Sequence, residues 1–327
     1  MPKTMDDWIS EYMYYCRSKK LRPKTMNSYE QTLWLFERWL RESEGVDNVC
    51  KISDATIRRY IVDLQQRGKY TVCASDYSKE LNHPERRRDY RTPISDITIN
   101  NYLRNLKAFF NWLDFEGVLS KNPMEHIKPL KVDRKNKEFL TDEEFAKLCN
   151  ILDLSYFSEH RDHTVIMLLM DTGMRLGECL LITSEDLDLS SRAITLRGEN
   201  TKSRHSRTVF FSKKMEQTLR RWLKFKDRYC ESIYLFPRHD GETINISSFE
   251  ANFRKYMRKA CIKKDISPHA LRNNFAKRCL MSGMDIYTLS RILGHSSVTV
   301  TEKTYLDLTD NDIRLRYQHF SPLQNMR

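Results

Sequence analysis

The sequence has no long apolar segment of the kind that membrane insertion or secretion requires. Its first ten residues, MPKTMDDWIS, lack the apolar core of a signal peptide. The longest apolar run, residues 165–170, is far too short to cross a bilayer. We therefore expect a soluble, intracellular protein located in the cytoplasm.

Cysteine pairs at metal-binding spacing are also missing. The eight cysteines, from Cys16 to Cys279, include no CxxC pair, and no histidine stands near them at zinc-ligand spacing. Scattered cysteines of this kind are typical of reduced thiols in a cytosolic protein. The sequence predicts no metal site, and it contains no internal repeat or low-complexity segment.

Acidic residues are too few to balance the basic ones. The chain has 56 Lys and Arg against 44 Asp and Glu, which gives a formal charge of +12 and a pI near 9.2. Such an excess favours a polyanionic partner, and nucleic acid is the commonest one. Charge alone leaves open a basic soluble protein without such a partner.

The length of 327 residues favours two domains. In the first, residues 1–128, apolar residues recur at helical spacing over 5–18, 24–41, 53–67 and 96–115, which predicts a four-helix bundle. Ser53 or Asp54 is expected to cap the third helix. Residues 69–93 have weak periodicity and include HPERRRDYR, so they are predicted to form a long polar loop, either solvated or in contact with DNA.

A charged stretch, residues 129–138, is predicted to link the bundle to a second domain at residues 139–327. Thr141 and Glu144 form a capping box that opens a helix. Helices are predicted at residues 164–171 and 175–181, separated by Gly173. Residues 193–196 and 208–211 alternate like the strands of a β-hairpin, and helices resume at residue 213. The predicted fold is mainly α, with a small hairpin in a mixed α+β second domain.

Two arginines stand at positions suited to binding a phosphate. Cleavage of a phosphodiester adds negative charge to two non-bridging oxygens, and guanidiniums bind such oxygens through forked hydrogen bonds. Arg175 follows a helix-ending glycine in TGMRLGE, and Arg272 lies three residues after His269 in PHALRNNFA, on the same helical face. Taken singly, each arginine is better explained as a solvated surface residue.

Lys202 lies at the tip of the predicted hairpin, in NTKSRHSRTV. A mobile turn there can deliver an ammonium group to a leaving 5′ oxygen as a general acid. The alternative is a basic turn that touches backbone phosphates, which is the expectation for Arg204 and Arg207.

A histidine and a tyrosine follow near the end of the sequence, in LSRILGHSSVTVTEKTYLD. His295 comes just after a helix that ends at Gly294, and Tyr305 is ten residues further on. A phenol is a poor nucleophile at neutral pH unless its proton is removed and nearby positive charge holds its oxyanion. His269 and Arg272 are expected to provide both.

These motifs together carry a family resemblance. TGMRLGE, the hairpin lysine, HALR, LGHSS and the following tyrosine occur in the order and spacing of the tyrosine recombinase or phage integrase family, which this sequence resembles. The catalytic set implied by the resemblance is Arg175, Lys202, His269, Arg272, His295 and Tyr305.

The resemblance also implies a role for each of these residues. The two arginines would clamp the scissile phosphate, and His269 would act as general base or proton relay. Lys202 would be the general acid and His295 a hydrogen-bond donor to the phosphate. Tyr305 would form a covalent 3′-phosphotyrosyl bond and release a 5′-hydroxyl. Because this intermediate conserves the bond energy, no cofactor, ATP or metal is implied.

Two further positions near the arginines match the family pattern in part. Glu178, one turn after Arg175, matches an acidic position that supports the active site structurally, and no proton chemistry is assigned to it. Asn273 stands where many relatives have a second histidine, which leaves the HxLR motif intact.

The amino-terminal half resembles the family's SAM-like core-binding domain. The two domains would close as a clamp around duplex DNA at core recombination sites, with the helices that begin at residues 24 and 96 facing the grooves. The DNA contacts expected in this half are Arg22, Lys24, Thr25, Thr98, Asn101 and Arg104. No separate arm-binding domain is expected before the first helix.

The activity implied by the resemblance is site-specific recombination by a tetramer on two DNA duplexes, through a Holliday junction. Integration and excision of a mobile element, a form of transposition, is the expected setting at the bacterial nucleoid, with an excision or accessory factor as a further expected partner. Chromosome dimer resolution is the less favoured setting, because the long insertion at residues 69–93 departs from the compact form. A short helix at residues 313–320 would dock in the neighbouring subunit or pack on its own domain.

Two alternatives to site-specific recombination stay open. One is a type IB topoisomerase or hairpin-forming resolvase, and the other is a non-catalytic DNA-binding accessory protein.

Overall fold

The computed structural model describes residues 3–132, 138–201, 205–295 and 297–305, together with 314, 317 and 321, and only the backbone of residues 303–305. The chain separates into two compact units, an amino-terminal unit, Met1–Arg134, and a carboxyl-terminal unit, Lys135–Arg327. The division falls within the stretch 129–138 that the sequence analysis takes as a linker. Within the described ranges, no helix has the length and apolar character needed to cross a membrane.

The amino-terminal unit is helical. Its helices are α1 (Met5–Ser18), α2 (Pro23–Trp39), α3 (Asp54–Gln66), α4 (Asp76–Asn82) and α5 (Asp96–Phe115). The predicted helices 5–18 and 96–115 are confirmed to the residue. The chain continues from α2 into a π-helical turn, Leu40–Glu44, which ends at Gly45 in the left-handed conformation. Aromatic side chains from different helices, among them Phe36, Tyr60 and Phe109, fill the core.

Ser53 caps α3, which decides between the two caps that the sequence allows. Its hydroxyl accepts a hydrogen bond from the backbone N–H of Thr56, and the Thr56 hydroxyl accepts one from the backbone N–H of Ser53. This reciprocal capping box satisfies two N–H groups that the first helical turn leaves without partners.

The prediction that residues 69–93 form a plain polar loop is wrong in part. The segment contains α4 and a 3₁₀ turn, Pro84–Arg86, and a bridge between Gly68 and Pro93 closes its two ends. Ser75 caps α4, and Arg38 of α2 holds its start through Asp76 at 2.8 Å. The helix was missed because it is short and buries no residue, so it has no apolar periodicity.

The carboxyl-terminal unit combines helices with a small sheet. Its helices are α6 (Asp142–Asn150), α7 (Phe157–Thr172), α8 (Leu176–Cys179), α9 (Lys213–Lys226), α10 (Ile246–Lys259), α11 (Pro268–Met281), α12 (Ile286–Leu293) and α13 (Val298–Tyr305). In the described part of the unit, β1 (Leu187–Asp188), β2 (Ala193–Leu196) and β3 (Arg207–Phe210) form an antiparallel sheet in that order. The predicted hairpin is confirmed as β2 and β3, and β1 was too short to show a pattern.

The sequence predicts the start of α6 correctly and places the start of α7 too late. The capping box of Thr141 and Glu144 is present at the start of α6. Helix α7 begins at Phe157, seven residues before the predicted start. Apolar periodicity does not predict its first turns because they bury polar side chains. Arg161 pairs with one carboxylate oxygen of Asp162, and the other oxygen accepts hydrogen bonds from two side chains of α10. Burial of charged residues is uncommon unless they are paired in this way.

Candidate active site

A glycine turn places Arg175. Helix α7 ends at Gly173, whose φ of +64° is a conformation that favours glycine. A Cβ atom at this position would lie 2.2 Å from the ring of Phe275 on α11, so packing also requires glycine. The chain then reverses, and Arg175 becomes the amino-terminal cap of α8.

Glu178 connects two arginines through a buried carboxylate. It accepts hydrogen bonds from the backbone N–H and the Nη1 of Arg175, both at 3.0 Å. It also accepts a bidentate pair from Arg207, at 3.1 and 2.6 Å. The residue is only 3% exposed. Burial alone would raise the pKa of Glu178, but the hydrogen bonds and charge of Arg207 and Arg175 outweigh it, and the pKa is lowered.

Arg207 is an interior residue of the site, which revises its predicted contact with a DNA phosphate. Its side chain is 12% exposed, and besides Glu178 it donates from Nε to the carbonyl of Ile292 at 3.3 Å. It also packs against Gly294, where a Cβ atom would come within 2.8 Å of the arginine side chain. Arg207 therefore ties β3 to α8 and to the end of α12. The sequence prediction failed because the charge of an arginine does not reveal an internal carboxylate partner.

Arg272 is almost completely buried, with 2% exposure. Its Nη1 donates to the carbonyl of Gly173 at 2.8 Å, and its Nη2 donates to the carbonyl of Leu293 at 2.7 Å. Nη2 also lies 2.8 Å from Nε2 of His295. These contacts fix the guanidinium of α11 between the end of α7 and the end of α12.

The contacts of His295 define its tautomer. A guanidinium has only donors, so Nε2 of His295 accepts from Arg272, and the ring proton of the neutral imidazole sits on Nδ1. That Nδ1–H donates to the hydroxyl of Thr301 at 2.7 Å. Burial lowers the pKa of His295 to about 4, and the positive charges of Arg272, Arg175 and Arg207 contribute after it. The ring is therefore neutral at neutral pH.

This geometry bears on the predicted role of His295. The family resemblance implies that His295 donates a hydrogen bond to the phosphate. In the structure Nε2 faces the guanidinium of Arg272, which has only donors, so in this arrangement the neutral imidazole accepts there and holds the arginine. The hydrogen bond of His295 to the phosphate stays a prediction. The sequence could not reveal this arrangement because it does not determine the tautomer of a histidine.

The remaining predicted catalytic residues are placed to different degrees. His269 is exposed at the start of α11, one turn before Arg272, and its charge also lowers the pKa of His295. Tyr305 is the last residue of α13, four residues after Thr301, and the structure describes only its backbone. Lys202 and Arg204 lie outside the described residues.

The described part of the site can bind an anion. Arg175 and Arg207 contact the Glu178 carboxylate, and Arg272 contacts the neutral His295, so positive charge is in excess. A cluster that combines fixed guanidiniums and low exposure is suited to a phosphate group.

Thr301 is a residue of the site that the sequence analysis missed. Its position in the sequence, one helical turn before Tyr305, was the signal that could have identified it.

In the amino-terminal unit, the predicted DNA contacts lie near the start of α2 and α5. Asn105 of α5 is buried and donates hydrogen bonds to the Ser28 carbonyl and hydroxyl at 3.0 Å and to the Thr32 hydroxyl at 2.9 Å, which joins the two helices. The predicted contact residues precede these points along both helices. Thr98 is half-buried. The other five predicted contact residues are exposed: Arg22, Lys24, Thr25, Asn101 and Arg104.

This arrangement is suited to phosphoryl transfer, because arginines and a histidine from separate segments meet beside a helix that ends in a tyrosine. The sequence profile of the phage integrase family matches residues 138–312, more than half of the chain. The chain therefore belongs to the phage integrase family. It is a tyrosine-type site-specific recombinase.

Relatives along nearly the whole length agree with this family. A tyrosine recombinase of Thermosipho africanus is 28% identical over 283 residues, covering 83% of this chain and 94% of the relative. Tyrosine recombinase XerC of Oceanobacillus iheyensis is 25% identical over 325 residues, covering 97% of each. A solved structure of the Tn1549 transposon integrase in complex with a circular intermediate DNA superimposes with a TM-score of 0.71, at 19% identity, over 97% of this chain and 99% of that one. This last likeness is one of fold.

Proposed function

We propose that this recombinase cuts and rejoins double-stranded DNA through Tyr305, to integrate and excise a mobile element. The observation that carries the proposal is the guanidinium cluster of Arg175 and Arg272, fixed by buried partners beside the helix that ends in Tyr305. The fold shared with the Tn1549 transposon integrase supports the mobile-element setting.

In the proposed reaction, the Tyr305 oxygen attacks the scissile phosphorus, forms a 3′-phosphotyrosyl bond and breaks the bond to the 5′ oxygen. His269, exposed at the start of α11, takes the phenolic proton or relays it. Lys202 gives a proton to the leaving 5′ oxygen. The released 5′-hydroxyl of a partner strand later reverses the attack, which restores the phosphodiester and frees the tyrosine.

The two arginines stabilise the charge that develops on the phosphate. Arg175 is oriented by Glu178, and Arg272 by backbone carbonyls and His295. Because these partners are in place before the substrate binds, little reorganisation is needed during the reaction. His295 acts in this account by holding Arg272.

The partner is double-stranded DNA, held in part by the starts of α2 and α5. Asn105 fixes these helices to each other, so their exposed polar residues form a constant surface. The chain would work as a tetramer on two duplexes at the nucleoid, through a Holliday junction, with an excision or accessory factor in one direction. The carboxyl-terminal tail lies largely outside the described residues, and its docking in a neighbouring subunit remains part of the proposal.

Covalent trapping tests the proposal. The purified protein is incubated with suicide DNA substrates, nicked near candidate junctions from the genomic neighbourhood of its gene, and adducts are resolved on a denaturing gel. Wild type is expected to form an adduct that Tyr305→Phe does not form. Tyr287→Phe is the matched control, because Tyr287 is an exposed tyrosine on α12, and it should retain the adduct.

Other outcomes point to the alternatives. Tight binding without an adduct on any substrate would favour the non-catalytic DNA-binding protein. Efficient relaxation of supercoiled DNA that lacks a recombination site would favour the topoisomerase. An adduct that persists in Tyr305→Phe would show that another residue is the nucleophile.

A further inference from the structure

Thr301 lies at the point where the helix of the nucleophile meets the histidine of the site. It is completely buried, at 0% exposure, on α13. Its hydroxyl is 2.7 Å from Nδ1 of His295. Tyr305 follows four residues later, which is about one helical turn along the same helix.

The Thr301 hydroxyl serves as an acceptor in this contact. Arg272 donates to Nε2 of His295, so the neutral ring carries its proton on Nδ1 and donates that proton to Thr301. The neutral state agrees with the low pKa of His295, which burial and the charges of Arg272, Arg175, Arg207 and His269 produce. Both ring nitrogens are thus engaged, one by α11 and the other by α13.

A continuous path of hydrogen bonds therefore joins the phosphate-binding arginine to the helix that ends in the nucleophile. It runs from Arg272 through His295 to Thr301, with distances of 2.8 and 2.7 Å. A ring held at both nitrogens cannot rotate without losing a buried hydrogen bond. A displacement of α13 would remove the partner of Nδ1 and release the ring that orients Arg272.

We propose that Thr301 is a positioning residue that couples the placement of α13 to the orientation of Arg272 through His295. The inference rests on the proposed function, in which Arg272 binds the phosphate and Tyr305 attacks it. Through this coupling, the arginine is correctly oriented when the tyrosine helix is docked. A serine at position 301 preserves the acceptor, whereas a valine of similar shape does not.

Single-turnover adduct formation on a suicide substrate measures the effect. Thr301→Val is expected to slow adduct formation about 10- to 100-fold, since it leaves a buried N–H without an acceptor. Thr301→Ser should stay within about threefold of wild type, because the hydroxyl remains. Thr299→Val is the matched control, an exposed threonine on the same helix, and should leave the rate unchanged.

A double-variant cycle tests whether Thr301 acts through the histidine. If it does, Thr301→Val slows the reaction much less in a His295→Gln background than in wild type. Full additivity of the two effects would overturn the proposal. An unchanged rate in Thr301→Val would also overturn it, provided that wild type forms the adduct and Tyr305→Phe does not. That last comparison separates failure of the inference from failure of the proposed function.

Nitrogen-15 NMR of the histidine side chains gives a readout that does not depend on catalysis. The His295 ring, assigned by its absence in His295→Gln, should show a proton on Nδ1 in wild type and in Thr301→Ser. In Thr301→Val that proton should lose its protection from exchange with water, with the fold retained. A proton on Nε2 in wild type would contradict the coupling, and so would an unchanged Nδ1–H in the valine variant.

Discussion

Glu178 is the residue that fixes the relative positions of two of the site's guanidiniums. A buried carboxylate needs several donors to remain charged, and Glu178 receives them from Arg175 and Arg207. Each arginine in turn is restricted to one geometry by the shared carboxylate. The sequence analysis gives Glu178 a supporting role, and the structure specifies that role as a bridge.

Replacing Arg207 should destabilise the carboxyl-terminal unit. Arg207→Ala leaves one side of the buried carboxylate without its bidentate partner, so we expect the free energy of unfolding to fall by about 3 kcal/mol. Urea unfolding measures this free energy when hydrogen exchange in peptides of the carboxyl-terminal unit is used to monitor the transition. Arg220→Ala removes an exposed arginine that pairs with Glu216 on α9, and should change stability by less than about 0.5 kcal/mol. Equal effects of the two variants would contradict the bridge.

The lowered pKa of Glu178 predicts a specific dependence of stability on pH. Because the folded pKa lies below the ordinary value of 4.5, the charged carboxylate stabilises the fold above that pH. This contribution is lost as the pH falls from 4.5 through the folded pKa. Wild type should therefore lose stability more steeply on acidification than Glu178→Gln, which lacks the titrating group. Parallel stability curves for the two proteins between neutral and acid pH would show that the carboxylate is not stabilised by its arginines.

At the scale of elements, the turn between α7 and α8 positions Arg175 and Arg272, the two arginines of the proposed phosphate site. Gly173 ends α7, leads the chain to Arg175 and offers its carbonyl to Arg272. Its left-handed φ and its contact with the Phe275 ring both exclude a side chain. A single glycine thus sets the path of one arginine and binds the other.

Gly173→Ala should therefore be more damaging than a glycine change at an open position. We expect a loss of about 3 kcal/mol in unfolding free energy, from backbone strain and from the clash with Phe275. Gly283→Ala is the control in the same unit: its φ is +94°, but nothing lies within 4 Å of the added Cβ. That change should lose only about 1 to 2 kcal/mol, from the backbone alone. A loss at Gly173 no larger than at Gly283 would show that Phe275 moves aside freely.

Element prediction from this sequence succeeded where apolar periodicity or caps were strong. Helices α1 and α5 were predicted to the residue, and the capping box at Thr141 and Glu144 was recognised. It failed where burial is not apolar, as at the start of α7, and where an element is short, as in β1 and α4. These segments are stabilised by contacts with residues distant in the sequence, which local patterns do not encode. Asn252 and Tyr256 donate hydrogen bonds to Asp162 of α7, and Arg38 donates one to Asp76 of α4.

The sequence motifs name several residues that lie together in the structure, while the catalytic role of each stays a prediction. The motifs led to Arg175, Arg272 and His295, which the structure brings together. The role of Arg207 and the contact of Thr301 depend on which atoms face each other across β3, α12 and α13. Such pairings arise from the fold, and spacing along one chain does not carry them.

At the scale of the whole molecule, the excess of basic residues should govern affinity for DNA. The formal charge of +12 and the exposed residues at the starts of α2 and α5 imply contacts with several phosphates. We expect affinity for a core-site duplex to fall by about a thousandfold or more between about 50 and 200 mM salt. Fluorescence anisotropy across a salt series measures the slope.

A single-residue comparison sharpens that measurement. Arg104→Ala should reduce the slope of log affinity against log salt by about one, as expected for the loss of one phosphate contact. Arg58→Ala removes an exposed arginine paired with Asp54 on α3 and should leave the slope unchanged. A flat salt response in wild type would contradict binding through the phosphate backbone.

The most direct test of the account is to identify the residue that carries the DNA. The adduct is digested with nuclease and trypsin, and the modified peptide is sequenced by mass spectrometry. Cleavage after Lys303 and Arg314 yields the peptide TYLDLTDNDIR, in which Tyr305 is the only tyrosine. The account predicts a nucleotide joined through its 3′-phosphate to that tyrosine. A nucleotide on any other peptide, or one joined through a 5′-phosphate, would contradict it.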